Sequence, residues 1–122
     1  MTTVLDASAL LAFLQDEPGS DVVEAALQRE PSCGAANWSE IAQKIHAADR
    51  DWDLVKALLM SYDLTIEPVT SDDAELAARR WRRGDGLSLA GRLCQALAER
   101  LEANILTADT EWGTAGRIRQ IR

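Results

Sequence analysis

Asp6, Glu40 and Asp109 are the side chains through which this sequence could do chemistry. Asp6 follows the apolar run Thr3-Val4-Leu5, Asp109 follows Asn104-Ile105-Leu106-Thr107, and Glu40 falls in the first turn of a helix expected after a second short strand. Carboxylates brought together repel one another unless they share a proton or hold a cation, so such a cluster points to a hard divalent metal, Mg2+ or Mn2+. A metal of that kind activates water and neutralises charge developing on a phosphate, which is the logic of metal-assisted phosphodiester hydrolysis. It would also let an acidic protein hold RNA through a metal bridge. Taken singly, each acid has a plainer use. Asp6 can cap the helix after it, Glu40 can form a capping box with Asn37, and Asp109 can open a turn. Their joint placement is what favours a site.

That placement depends on the elements around them. Thr3–Leu5 reads as a strand and Ala7–Leu14 as a helix, broken at Pro18-Gly19. A second helix carries Val22, Val23, Ala26 and Leu27 on one face and ends at Pro31, and the small residues 32–36 form a candidate second strand. Asn37 is positioned to cap a helix from Trp38 to about Ala48, and Asp51 or Asp53 opens another through Leu54, Leu58, Leu59 and Tyr62. Leu64-Thr65-Ile66 is a third strand. Ser71-Asp72-Asp73 caps a helix through Trp81, and Arg82–Gly86 is a breaker-rich loop. Leu87 to about Leu101 is the longest helical stretch, residues 104–107 a fourth strand, and Ile118 with Ile121 marks a short fifth. Strands alternating with helices predict a parallel sheet covered on both faces, with ligands held outside the carboxyl ends of the strands.

The 122 residues, 47% hydrophobic and 27% charged, suit one domain, residues 1–122, with a single core. The longest apolar run, Ala9–Leu14, is far short of the roughly 20 residues of a membrane span, and the N-terminus shows no secretory signal, so a cytoplasmic protein is expected. With one histidine, His46, a histidine pair and a multi-histidine zinc site are excluded by counting. Cys33 and Cys94 read as reduced, buried small hydrophobes. The net charge of −7 is unevenly spread: residues 1–75 hold four cations against fifteen acids, and residues 76–122 hold nine arginines against five acids. A basic tail on an acidic body keeps a nucleic-acid partner in play.

Four segments carry a family resemblance. Val4-Leu5-Asp6-Ala7-Ser8-Ala9-Leu10-Leu11-Ala12, Asn37-Trp38-Ser39-Glu40-Ile41, Leu87-Ser88-Leu89-Ala90-Gly91-Arg92-Leu93-Cys94 and Leu106-Thr107-Ala108-Asp109 resemble, in order and spacing, the motifs of PIN-domain ribonucleases, specifically VapC-type toxins of bacterial toxin–antitoxin pairs. The resemblance implies a three-layer α/β/α domain with a short, mainly parallel sheet of four to five strands. It also implies Mg2+- or Mn2+-dependent cleavage of RNA, with transfer or ribosomal RNA as the substrate, inhibition by a cognate VapB-type antitoxin, and homodimerisation. On it, Asp6, Glu40 and Asp109 are the catalytic, metal-binding acids, with Ser8 and Thr107 as supporting hydroxyls.

The departure is at Gly91, where the family pattern expects aspartate. Glycine inside a helix costs about 1 kcal/mol against alanine, so local propensity gives no reason for it. Gly91 therefore reads as a lost carboxylate, and the resemblance implies an impaired nuclease. Three explanations stand: an engineered or selected change that relieves toxicity in an expression host, which we prefer, a naturally weakened nuclease, or compensation by Asp85. Arg79, Arg80, Arg82, Arg83 and Arg92 are candidate RNA contacts, although cations at a helix C-terminus are favourable in themselves. Trp112 is a candidate for base stacking or, more commonly, packing. Leu10, Leu11, Phe13 and Leu14 exceed what one buried stripe needs and are candidates for a partner surface. The competing reading is a catalytically inert PIN-like module that binds antitoxin or RNA. A receiver-like domain would need a late-strand lysine, whereas the only lysines are Lys44 and Lys56, and a Rossmann-type binder would need a glycine-rich loop where Asp6–Ala9 stands.

Overall fold

In the computed structural model, residues 2–122 are described. The chain runs β1 (Thr3–Leu5), α1 (Ala7–Leu14), α2 (Ser20–Leu27), β2 (Pro31–Gly34), α3 (Ala35–Ala47) and α4 (Trp52–Met60). It continues through β3 (Thr65–Glu67), α5 (Ser71–Arg79), α6 (Leu89–Leu101), β4 (Asn104–Thr107), a 3-10 turn Thr110–Trp112, and β5 (Ile118–Gln120). The sheet order is β3-β2-β1-β4-β5 and every pairing is parallel. The chain builds outward on one side of β1, then crosses to the other side to lay down β4. The crevice between β1 and β4 is thus the topological switch point, where open parallel sheets bind their ligands.

Successive strand residues point to opposite faces, and this splits the interior in two. Leu5 belongs to a core with Leu10, Val23, Leu27, Ile41 and Leu59 from α1–α4. Val4 and Ile105, level with each other in the β1–β4 register, belong to a second core with Cys94, Leu97 and Ala98 of α6. Helices therefore cover both faces in three α/β/α layers. No helix among the described residues is long and apolar enough to cross a membrane.

Several local expectations change. Pro31 begins β2 instead of only ending the helix before it. Gly34, not Asn37, is the N-cap of α3, because β2 feeds straight into that helix; Asn37 is therefore inside the first turn and Glu40 falls in the second. Thr70, one residue before the expected cap, closes a capping box with Asp73. Ser88, not the segment beginning at Leu87, sets the start of α6 through its hydroxyl. In α4 only Leu59 is buried, while Leu54 is 69% and Leu58 46% exposed, so the apolar face expected to be inside is partly on the surface. Trp81 lies beyond the end of α5 and is exposed. Leu10 and Leu11 are buried, and Phe13 packs edge-on against Tyr62, so most of the excess apolar residues of α1 serve the fold.

Candidate functional site

Asp6 stands where β1 turns into α1. It is both a helix cap and a buried acid facing the crevice, so the plain and the chemical use coexist. Its Oδ1 accepts from the Ala9 N–H at 2.8 Å and from the Ser8 hydroxyl at 2.8 Å, and its Oδ2 accepts from the Thr107 hydroxyl at 2.6 Å. The same two hydroxyls accept from the backbone after β4: Ser8 Oγ from Ala108 N–H at 2.9 Å and Thr107 Oγ1 from Asp109 N–H at 3.0 Å. Asp6 is thereby tied to the strand end that delivers Asp109. Burial pushes the Asp6 carboxyl above its ordinary value, against the hydrogen bonds from Thr107, Ala9 and Ser8, and the charge of Asp109 adds to the rise.

Glu40 arrives from α3. Its Oε1 accepts from Asn37 Nδ2 at 3.0 Å, an i, i+3 pair on one helix face. Asn37 is buried, also reaches the Ala90 carbonyl at 3.5 Å, and leaves its Oδ1 without a partner. Asp109 caps the 3-10 turn, its Oδ1 accepting from the Glu111 N–H at 3.0 Å. Asp6, Asn37, Glu40, Gly91, Asp109 and Trp112 all line one cavity of about 450 Å³. The three acids singled out in the sequence therefore do converge, and Gly91 sits with them.

Gly91 is buried in the first turn of α6, its N–H donating to Ser88 Oγ at 3.0 Å. A Cβ there would stand 3.1 Å from Trp112 Cζ2 and 3.3 Å from Ser88 Oγ, so the indole lies against the space a side chain would need. Trp112 is half-buried and packs against the α6 core. Asp85 lies on an exposed loop, accepts from the Leu87 N–H, and is absent from the cavity lining. The remaining oxygens are hard carboxylates of the type a divalent ion takes. Yet among the described residues no group of three or more His, Cys, Asp or Glu stands close enough to hold an ion. The three acids share one cavity and have the hard-oxygen chemistry a divalent ion takes, and as placed they do not form a complete ligand group for one.

None of the five arginines singled out lines the cavity. Arg80 pairs with Glu99, Arg82 donates to the Arg79 and Trp81 carbonyls, and Arg83 lies over the Trp81 ring at 5.7 Å. Arg92 Nη1 donates to the Ala77 carbonyl at 2.6 Å, bracing α5 on α6. The cations that do line the cavity are Lys44 and Arg122. Asn37 and Lys44 were both missed as site residues. Their signal was their spacing of minus three and plus four from Glu40, which places all three on one helix face.

The chain matches the PIN domain family over residues 3–118. It is 34% identical over 107 residues to ribonuclease VapC42 of Mycobacterium tuberculosis, covering 79% of this chain and 82% of that protein, and matches a VapC ribonuclease of Mycobacterium bovis to the same extent. Among solved structures it is similar to a toxin–antitoxin complex from Klebsiella pneumoniae, with a TM-score of 0.79 at 16% identity over 98% of both chains. It is also similar to VapC20 of Mycobacterium tuberculosis, a sarcin-ricin loop cleaving toxin, with a TM-score of 0.73 at 15% identity over 94% of this chain and 95% of that one. At those identities the structural likeness is one of fold, and the sequence match carries the kinship. The chain belongs to the PIN domain family, on its VapC branch.

Proposed function

We propose that this chain is the toxin of a toxin–antitoxin pair, a cytoplasmic endoribonuclease dependent on Mg2+ or Mn2+, impaired as it stands because Gly91 withholds a carboxylate. The convergence of Asp6, Glu40 and Asp109 on one cavity at the switch point of the sheet carries the reading. Kinship with proteins named as ribonucleases supports the reaction, and kinship of fold with a toxin–antitoxin complex supports an antitoxin partner. With a further carboxylate at residue 91, Asp6, Glu40 and Asp109 would hold a divalent ion, which would supply water activation and charge neutralisation at the phosphate. The chain's own part is to hold Asp6, Glu40 and Asp109 toward it, with Ser8, Thr107 and Asn37 fixing the first two. The exposed Leu54 and Leu58 of α4 are the kind of apolar surface that a VapB-type antitoxin or a second copy in a homodimer covers.

The missing ligand equally favours a second reading, an inert PIN-like module that keeps antitoxin or RNA binding without cleavage. Incubating cellular RNA with this chain and with its Gly91→Asp form, each with Mg2+, Mn2+ or a chelator, separates the two. Metal-dependent cleavage largely confined to the substituted form is the expected result. Cleavage by neither form selects the inert module, and cleavage that survives the chelator overturns the metal-dependent reading.

A further inference from the structure

The cavity is rimmed by acids, which repel the phosphates of the substrate class proposed above, and a cation on its lining offsets that repulsion where no ion is bound. Lys44 and Arg122 are the two cations available. Arg122 is engaged, its Nη1 lying 3.5 Å from Glu17 Oε1 and donating to the Pro18 carbonyl at 3.1 Å. Lys44 is exposed on α3 one turn beyond Glu40 and makes no hydrogen bond or ion pair among the described residues. That freedom is informative. A glutamate four residues before a lysine is the favourable orientation for a helix pair, yet the Glu40 carboxylate is held by Asn37 instead. The ammonium is left at the cavity with no partner from the described residues.

We infer that Lys44 binds the phosphodiester backbone of an RNA strand as it enters the cavity, the role the sequence had offered to Arg79, Arg80, Arg82, Arg83 and Arg92. The inference rests on the ribonuclease reading. It replaces an arginine cluster by one point charge beside the acids. A lysine near a helix C-terminus also stabilises the helix through its dipole, but that use does not require a place on the cavity wall. It also does not alter the salt dependence of binding an added RNA.

The salt dependence is therefore the test. Binding of a short fluorescein-labelled oligouridylate is followed by anisotropy through a sodium chloride titration, with a chelator present, for the parent, Lys44→Gln, Lys44→Arg and Lys56→Gln. Lys56 lies on α4 away from the cavity and makes the same charge change. Each phosphate contact to a single strand contributes about −0.7 to the slope of log K against log salt. Lys44→Gln should shrink the slope by about 0.7, with Lys44→Arg and Lys56→Gln keeping the parent's value. A parent slope retained in Lys44→Gln overturns the role of Lys44 while leaving RNA binding intact. A parent that shows no salt-dependent binding overturns the Lys44 contact and leaves the ribonuclease reading to the cleavage assay. Thermal melts of the four proteins exclude misfolding as the cause of any change.

Discussion

Gly91→Asp should make stability conditional on metal. Two local terms favour the substitution: aspartate exceeds glycine in helix propensity by a few tenths of a kcal/mol, and a negative charge in the first turn of α6 gains about 0.5 kcal/mol from the helix dipole. Two oppose it. The new Cβ lies 3.1 Å from Trp112 Cζ2, so the indole must move by a few tenths of an ångström. The new carboxylate is also buried in a cavity shared with Asp6, Glu40 and Asp109, and a buried charge without a good partner costs about 1–3 kcal/mol. In chelator the balance is a loss of about 1–2 kcal/mol, or roughly 4–8 °C in melting midpoint for a chain of this size. An ion that binds only the folded form restores about 2.7 kcal/mol at a hundredfold excess over its Kd. Calorimetric melts in chelator and in Mn2+ should then show the variant below the parent without metal and rising more steeply with it. A variant that melts at or above the parent in chelator and ignores Mn2+ refutes the reasoning. Adding Trp112→Leu separates the two opposing terms: relief of the contact should recover part of the loss and leave the charge repulsion.

Three further perturbations follow from the hydrogen bonds. Thr107→Val removes both the donor to Asp6 and the acceptor for the Asp109 N–H, and should cost about 2 kcal/mol in urea denaturation, with Thr107→Ser costing clearly less. Asp6 has a raised folded pKa, so between its ordinary 3.8 and that raised value the folded chain holds more protons than the unfolded one, and stability falls as pH rises through the interval; Asp6→Asn should flatten this dependence in urea melts taken across pH and be the more stable form at neutral pH. For Asp73 burial raises the pKa, but hydrogen bonds from Arg100 and from the Thr70 N–H and the Arg100 charge outweigh it and hold the carboxyl below its ordinary value. Its stabilisation is then complete above about pH 3.8 and lost as pH falls through the folded value, so Asp73→Asn should cost about 1–3 kcal/mol at pH 7 and much less in strong acid, by the same melts.

The legible features in the sequence were those set by short-range periodicity and by breakers. The strand-acid-helix corner at Asp6, the parallel alternation and the approach of Asp109 to Asp6 all follow from elements whose apolar patterns are unambiguous. The helix starts were less legible, because several residues in a row could cap. At Thr70-Ser71 the box to Asp73 decides, and at Gly34 the strand leads into the helix with no polar cap at all. That second case hid Asn37, whose type suggests a cap and whose place inside the first turn gives it to Glu40 instead. The placing of the arginines was illegible for a different reason. Their density along the chain says nothing of direction, and neighbours on α5 and α6 claim Arg80 and Arg92 by contacts 15 to 19 residues apart in sequence.

The way Asp6 is held bears on what a glycine at residue 91 does to the proposed site. A metal site assembled only by its ion would loosen when one ligand disappeared, and its remaining acids would turn to solvent. Asp6 is instead fixed by a backbone N–H and two hydroxyls, each hydroxyl also accepting from the backbone beside β4. None of those bonds involves residue 91. Glu40 has its own support in Asn37, which in turn reaches the Ala90 carbonyl, main chain that any residue at 91 leaves in place. Asp6 and Glu40 are thus held by groups other than residue 91, as sites on rigid elements are. On the proposed function, what Gly91→Asp adds is therefore charge and one ligand at an already supported Asp6 and Glu40, provided Trp112 yields the space.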